Sequence, residues 1–201
     1  MRSASASSRL FREGDVGVPA RSTVVCGCGG GHTVALVLPR LVLDADALNA
    51  IAAESDLRAL LGDRARRGAA TALTPHPLEA ARLLGTTSAA VQADRLAAAW
   101  ALAERDGCVV VLKGSGTVVA APGGALFVNP TGNATLATAG TGDVLAGWLG
   151  GLWAQRQRDS VQALEVALPA VYVHGAAPDQ AKVSPLRAAD LVELMLASQW
   201  G

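Results

Sequence analysis

The sequence Val109-Val110-Val111-Leu112 is a run of four apolar residues with no polar residue at alternate positions. Successive side chains of a strand point to opposite faces, so a strand with one wet face alternates apolar and polar residues. This run therefore predicts a strand buried on both faces, in the middle of a parallel sheet covered by helices. With 201 residues, the chain is long enough for one domain with a sizeable core.

Other strands and helices alternate along the chain, which predicts an α/β sandwich with a mostly parallel central sheet flanked by helices. Further strands are expected at 23–26, 41–44 and 71–73, with a hairpin of 117–120 and 125–128 across Pro122-Gly123-Gly124. Helices are expected at 45–51, 77–84, 88–105, 143–155, 161–175 and 188–198. The helix 88–105 is amphipathic, with Val91, Leu96, Trp100 and Ala103 near one face.

A glycine-rich turn leads directly into the apolar helix at 143–155. The turn reads Ala139-Gly140-Thr141-Gly142-Asp143. Free N–H groups at a helix N-terminus bind anions, and the helix dipole adds to this, while Gly140 and Gly142 let a phosphate approach the backbone closely. The Asp143 carboxylate would be repelled by that phosphate. It is therefore expected either to cap the helix or to take a proton from, or align, a hydroxyl that attacks the phosphate.

The glycines of this helix, Gly147, Gly150 and Gly151, lower its helix propensity and are expected to permit close helix packing.

The composition excludes several classes of partner. The formal net charge is zero and 17% of residues are charged, so nothing indicates nucleic acid as a ligand. No apolar run reaches membrane-spanning length. Residues 1–22 are rich in Ser, Arg and Gly and are expected to be disordered or poorly defined. Three cysteines fit a reduced, cytoplasmic protein. Cys26 and Cys28 lack a second pair to complete a zinc site, which favours buried thiols over metal ligands.

Several motifs in order match one family. They are Leu43-Asp44-Ala45-Asp46-Ala47-Leu48-Asn49, Thr74-Pro75-His76-Pro77-x-Glu79, Lys113-Gly114-x-x-Thr117, Asn129-Pro130-Thr131-Gly132-Asn133, Gly140-Thr141-Gly142-Asp143-Val144-Leu145-Ala146-Gly147, His174-Gly175 and Ala189-Asp190-Leu191. From about residue 22 to 201, the chain resembles the ADP-dependent NAD(P)H-hydrate dehydratases, a branch of the ribokinase-like fold.

The resemblance implies a metabolite-repair reaction. The family acts on NADH and NADPH hydrated on the nicotinamide ring. It phosphorylates the ring hydroxyl from ADP (ATP in eukaryotes) with Mg²⁺, and phosphate then leaves as the double bond returns. Phosphate is a better leaving group than hydroxide, so this chemistry agrees with the phosphate turn and carboxylate found in the residues. Hydrated NAD(P)H and ADP are the expected ligands, and an NAD(P)H-hydrate epimerase is the expected pathway partner.

The resemblance also assigns site residues. Asp143 matches the catalytic acid that also contacts the hydrate, and Gly29 and His76 match further substrate contacts. The nucleotide-binding positions are Lys113, Gly114, Ser115, Gly116, Thr117, Gly140, Thr141 and Gly142. No residue is assigned as a direct metal ligand.

Simpler structural roles remain open for several of these residues. His76 is placed to cap the helix that begins at Pro77, and Lys113 to be a solvated lysine at a strand end. Asp44 and Asp46 are candidates for Mg²⁺ binding through water, although helix capping by Asp44 is favoured. His32 and His174 are expected to be structural.

The chain also departs from the family pattern. Residues 23–201 are expected to form a dehydratase domain without the family's N-terminal strands and helices. Gly27-Cys28-Gly29-Gly30-Gly31 replaces the usual Gly-Pro-Gly-Leu-Gly, and Ala139 replaces the first glycine of Gly-Gly-Thr-Gly-Asp. Absence of the N-terminal strands and helices would expose apolar surface and a sheet edge near 23–26. This exposure predicts a homo-oligomer.

Two other functions remain as alternatives. One is a small-molecule kinase of the same fold, acting on a thiazole or pyrimidine alcohol. The other is an inactive fragment, or a nucleotide-binding subunit that needs a partner.

Overall fold

The computed structural model describes residues 22–27, 40–156, 162–181 and 186–198. Within these residues, a six-stranded sheet has its strands in sequence order. The strands are β1 (Thr23–Cys26), β2 (Arg40–Leu43), β3 (Ala70–Leu73), β4 (Val109–Leu112), β5 (Val118–Ala121) and β6 (Ala125–Val128). All but the last residue of the expected N-terminal segment 1–22 lies outside the described residues. None of the described helices is long and apolar enough to cross a membrane.

The first four strands are parallel. Leu43 of β2 lies opposite Cys26 of β1 and Leu73 of β3, and Leu73 in turn lies opposite Val110 of β4. β5 and β6 are antiparallel to their neighbours and form the predicted hairpin. The mostly parallel sheet is therefore confirmed, and the carboxyl ends of β1–β4 lie along one edge of it.

Helices cover both faces of this sheet. Within the described residues they are α1 (Ala45–Ala53), α2 (Ser55–Arg66), α3 (Pro77–Leu84), α4 (Ser88–Ala93), α5 (Arg95–Asp106), α6 (Thr141–Ala154), α7 (Ala163–Asp179) and α8 (Ala188–Ala197). Alternate residues of β4 point into two separate cores. Val110 and Leu112 pack with α1–α5, whereas Val109 and Val111 pack with α6 and α7. The run Val109–Leu112 is thus buried on both faces, as its sequence predicts.

The helix predicted at 88–105 is wrong in two respects. It is broken at Asp94, whose backbone is not helical (φ −143°, ψ 84°) and whose carboxylate accepts a 2.9 Å hydrogen bond from the Ala97 N–H to start α5. The expected apolar face is confirmed for Val91 and Ala103, which are buried, and wrong for Leu96 and Trp100, which are each 45% exposed. At 100° per residue, Leu102 and the buried residues Ala98 and Ala99 centre the core face of α5 away from Leu96 and Trp100.

The glycines of α6 differ in their surroundings. A Cβ on Gly150 would overlap with the Cγ2 of Val25 in β1, so this glycine lets the helix lie directly on the strand. Gly147 and Gly151 would each place a Cβ in open space. The expectation of close packing is confirmed for Gly150 and wrong for the other two.

We predict that Gly150→Ala lowers the free energy of unfolding by about 1–2 kcal/mol, because the added methyl group must displace Val25. Gly151→Ala is the matched control, and it should raise stability by up to about 1 kcal/mol through helix propensity alone. Denaturant melts measure both, and adding Val25→Ala should restore much of the loss. Equal stabilities for the two single variants would contradict this packing.

Candidate functional site

The residues that follow the four parallel strands lie side by side. Main-chain hydrogen bonds connect them from Asp44 N–H to Cys26 O (2.9 Å), from Thr74 N–H to Leu43 O (3.0 Å) and from Lys113 N–H to Pro75 O (2.9 Å). Because the strands are parallel, their carboxyl ends present all of these residues on one edge. Ligands of open α/β sheets bind at that edge.

An ion pair joins two of these strand ends. Lys113 Nζ lies 2.6 Å from the Oδ1 of Asp44, whose side chain is only 3% exposed. Asp44 stands before the first residue of α1 but makes no capping hydrogen bond with its side chain, so the favoured capping role is wrong. Lys113 is 19% exposed, which also excludes the solvated lysine. Its Nζ lies 3.3 Å from the position of a Cβ on Gly142, next to the start of α6.

A cavity of about 340 Å³ opens beside this ion pair. It is lined by the turn of residues 113–117, by Thr141 and Gly142 of α6, by residues 129–137 in part, and by α7. Seven of the eight predicted nucleotide-binding residues therefore meet at one cavity: Lys113, Gly114, Ser115, Gly116, Thr117, Thr141 and Gly142.

Gly140 and Asp143 are not among the residues that line the cavity. Gly140 is the N-cap of α6 with a left-handed backbone (φ 87°), and a Cβ there would lie 3.1 Å from the Cβ of Ala188. It therefore shapes the turn and lets α8 approach, and it does not line the space for a phosphate. Asp143 is exposed in the first turn of α6, next to the lining residue Gly142.

The Asn129-Pro130-Thr131-Gly132-Asn133 motif forms one wall of the cavity by packing on α7. The Asn129 side-chain amide donates to the Val171 carbonyl, and the Thr131 hydroxyl donates to the Tyr172 carbonyl. A Cβ on Gly175 would overlap with the Thr131 hydroxyl. The His174-Gly175 motif is thus explained by this loop, which requires glycine at its closest approach to the helix.

Asp179 of α7 holds this wall in place, and the sequence motifs did not single it out. Its carboxylate accepts hydrogen bonds of 2.9 Å from the Gly132 N–H and from the Asn133 side chain. It lies 46 residues from Asn133 in the sequence, so a local sequence pattern could not predict the contact.

His174 lies buried between α7 and the start of α6. Its Nε2 is 2.8 Å from the Thr141 carbonyl oxygen, and since a carbonyl only accepts, Nε2 carries the proton and donates. Burial lowers the pKa of His174 below its ordinary value. The expected structural role is confirmed, although the residue also lines the cavity.

The predicted substrate contacts are only partly described. The Nδ1 of His76 accepts hydrogen bonds from the Leu78 and Glu79 N–H groups, and the Glu79 carboxylate accepts one of 2.8 Å from the His76 N–H. These bonds form a capping box at the start of α3 and confirm the capping role. The imidazole remains 45% exposed, so its contact with substrate stays a prediction. Gly29 and His32 lie outside the described residues.

Within the described parts of the chain, no group of three or more His, Cys, Asp or Glu residues is arranged to hold a metal ion. Cys108 is buried, and burial raises the pKa of its thiol to about 12, so it is an inert core residue. Cys28 lies outside the described residues.

A mostly parallel sheet between two helical layers, with a glycine turn and a helix N-terminus at its carboxyl edge, defines an α/β protein of the ribokinase-like class. A solved Bacillus subtilis structure, an ADP/ATP-dependent NAD(P)H-hydrate dehydratase co-crystallised with ATP/Mg²⁺, shares this fold with a TM-score of 0.64. It is 30% identical, over 81% of this chain and 55% of the Bacillus chain.

Sequence comparison gives the family. The NAD(P)H-hydrate dehydratase family matches residues 32–199, and the chain belongs to this family. The chain is 46% identical to the ADP-dependent (S)-NAD(P)H-hydrate dehydratase of Neisseria meningitidis serogroup B. The aligned region has 188 residues and covers 88% of this chain. The chain is 51% identical over 149 residues, 72% of its length, to a bifunctional NAD(P)H-hydrate repair enzyme of Moorella thermoacetica. The chain spans 61% of the Neisseria protein and 26% of the Moorella protein.

We predict that Lys113→Met destabilises the fold by up to about 3 kcal/mol, because the Asp44 carboxylate would stay buried without its partner. Adding Asp44→Asn should recover much of that loss, since the unpaired charge is removed with it. A double-mutant cycle from denaturant melts measures the coupling. The control is the exposed pair Arg187–Asp190, where Arg187→Met should change stability little. Additive effects of the Lys113 and Asp44 substitutions would contradict the prediction.

We further predict that protonation of His174 destabilises the fold in acid. Because burial lowers its pKa, the unfolded chain takes up this proton at a higher pH than the folded protein. The contribution of neutral His174 to the free energy of unfolding should be complete above about pH 6.5. It should be lost progressively as the pH falls below that value. His174→Gln keeps a donor for the Thr141 carbonyl and should show a shallower fall in melts over this range. Parallel curves for the two proteins would count against the buried neutral imidazole.

Proposed function

We propose that the protein catalyses nucleotide-dependent dehydration of hydrated NADH or NADPH. The observation that carries the proposal is the cavity in which the turn 113–117 meets the first residues of α6. The N-terminus of a helix offers free N–H groups and a positive dipole end, which suit phosphate. The names of the family and of the Neisseria relative support hydrated NAD(P)H as the substrate and ADP as the co-substrate.

The phosphates of the nucleotide would lie between Lys113 and the start of α6. The ammonium group of Lys113 is beside Gly142, so it can approach a phosphate bound at the helix N-terminus while still paired with Asp44. Mg²⁺ would arrive on the nucleotide phosphates, since this cation keeps several waters and needs few protein ligands. Co-crystallisation of the Bacillus dehydratase with ATP/Mg²⁺ agrees with a magnesium-bound nucleotide.

Asp143 would act on the hydrate. Its exposed carboxylate follows Gly142, so a ring hydroxyl placed between them faces the transferred phosphoryl group on one side and a base on the other. Asp143 takes the hydroxyl proton as the oxygen attacks phosphorus, with the nucleotide as leaving group. The phosphate then leaves the ring with its C–O bonding electrons, the adjacent ring carbon loses a proton to solvent, and the double bond returns. His76 and Gly29 are proposed as further contacts to the hydrate.

We also propose that the protein works as a homo-oligomer in the cytoplasm. Phe127, Val128 and Tyr172 are exposed apolar residues of the kind that self-association buries. An NAD(P)H-hydrate epimerase is the proposed pathway partner, which agrees with relatives that are named bifunctional repair enzymes.

We predict that Asp143→Asn lowers turnover by about 10²–10⁴-fold while leaving ADP affinity nearly unchanged, because the carboxylate acts on the hydroxyl rather than the nucleotide. Turnover is measured as the return of reduced-nicotinamide absorbance from hydrated NADH with ADP and Mg²⁺, and affinity by calorimetry. A kinase would instead accumulate a phosphorylated alcohol.

Asp190→Asn is the matched control, because Asp190 is also the third residue of its helix and stands at another helix N-terminus. Its turnover should match that of the wild type. A loss of less than about tenfold in Asp143→Asn would refute the catalytic role. Absence of any dehydration by the wild-type protein, together with ADP binding, would favour a nucleotide-binding subunit.

A further inference from the structure

Arg95 is the first residue of α5, and its side chain lies against the turn 113–117. One guanidinium group donates to three main-chain carbonyls of this segment. It reaches Leu112 O at 3.1 Å, Lys113 O at 3.3 Å, and Ser115 O. A Cβ on Gly114 would lie 2.8 Å from the guanidinium, and the positive φ of Gly114 (145°) is the reason that this position favours glycine.

Among residues 112–115, the carbonyl that Arg95 does not reach, that of Gly114, is also occupied. The hydroxyl of Thr117 donates to Gly114 O at 3.2 Å. The carbonyls of residues 112–115 are therefore all held by side-chain donors. Each carbonyl of residues 112–115 is thus already paired with a donor, which lowers its repulsion of an anion.

The N–H groups of the same turn have no such partners. No hydrogen bond within the described residues uses the N–H of Gly114, Ser115 or Gly116. These residues line the cavity, and the positive φ angles of Gly114 (145°) and Gly116 (65°) give the turn an irregular backbone. Successive free N–H groups in such a backbone form an anion-binding concavity.

Stabilisation of α5 does not account for the position of Arg95. A cation in the first turn of a helix is disfavoured by the helix dipole. The Nε of Arg95 is also buried without a hydrogen-bond partner in the structure, which is a cost that the three carbonyl contacts must offset. The side chain is thus placed for the turn and not for the helix that carries it.

We propose that Arg95 is a positioning residue for nucleotide binding: by holding the carbonyls of residues 112–115, it leaves the N–H groups of Gly114, Ser115 and Gly116 to bind the phosphates. The phosphate contact rests on the proposed function, whereas the positioning of the turn does not. Arg95 acts through the turn and is not assigned any contact with the substrate.

Calorimetry with ADP tests the effect on binding. Arg95→Met should weaken ADP binding by about tenfold or more, because the turn loses three charge-assisted hydrogen bonds. Arg105→Met is the matched control on the same helix, since Arg105 contacts Leu83 O and Asp106 instead, and it should change ADP affinity by less than about twofold. Low millimolar guanidinium, far below denaturing concentrations, should partly restore binding to Arg95→Ala but not to a Gly142→Val variant.

Amide hydrogen exchange tests the turn without any ligand. The N–H groups of Lys113 and Asn129 donate to Pro75 O and Thr117 O on the two flanks of the turn, so their protection reports how firmly it is held. Relative to exchange in the core strands, exchange at both should accelerate in Arg95→Met and stay unchanged in Arg105→Met, where loss of the partner of the buried Asp106 carboxylate lowers only global stability.

Unchanged exchange at both amides in Arg95→Met would overturn the proposal, as would wild-type ADP affinity in that folded variant. Equal loss of ADP affinity in Arg105→Met would also overturn it, because the effect would then reflect general stability. If the wild-type protein binds no ADP, the proposed function fails, and the exchange measurement alone decides whether Arg95 holds the turn.

Discussion

The ion pair between Lys113 and Asp44 holds the functional edge of the sheet together. These residues are 69 positions apart and follow β4 and β2, and their 2.6 Å contact spans the intervening end of β3. Because Asp44 is buried, its charge requires the lysine in place. The ammonium group is thereby fixed beside Gly142, where α6 begins. The position of the only lysine in the described residues is thus set by the fold before any ligand arrives.

Close to this ion pair, the carbonyl groups and the N–H groups of the turn differ in their hydrogen bonding. The carbonyls of residues 112–115 are occupied by Arg95 and Thr117, while no hydrogen bond within the described residues uses the N–H groups of Gly114, Ser115 and Gly116. The opposite wall, residues 129–133, is fixed on α7 by the close contact at Gly175 and by Asp179. Nucleotide phosphates are the ligand proposed for this cavity, and Asp143, next to the lining residue Gly142, is the proposed base for chemistry on a hydroxyl.

Much of the architecture was predictable from local patterns. The apolar run 109–112 predicted a doubly covered strand, and Pro77 correctly marked the start of α3, which was predicted over 77–84. Errors arose where a short-range contact competes with the pattern. The carboxylate of Asp94 caps a new helix inside the span predicted as one, and Trp100, expected near the apolar face, is exposed. Helix α2 was missed because its Arg and Asp residues give it a weak apolar pattern.

The sequence by itself determined the layers of the sandwich, the family and the residues that meet at the cavity, because each depends on local periodicity or on motifs of contiguous residues. Only the tertiary structure decided which roles these residues take. Asp44 pairs with Lys113 instead of capping α1, Gly150 but not Gly151 admits a neighbouring strand, and Gly140 faces α8 instead of the cavity. Each outcome depends on a contact between residues distant in sequence. Such contacts produce no regular spacing of residue types, so a local sequence pattern cannot reveal them.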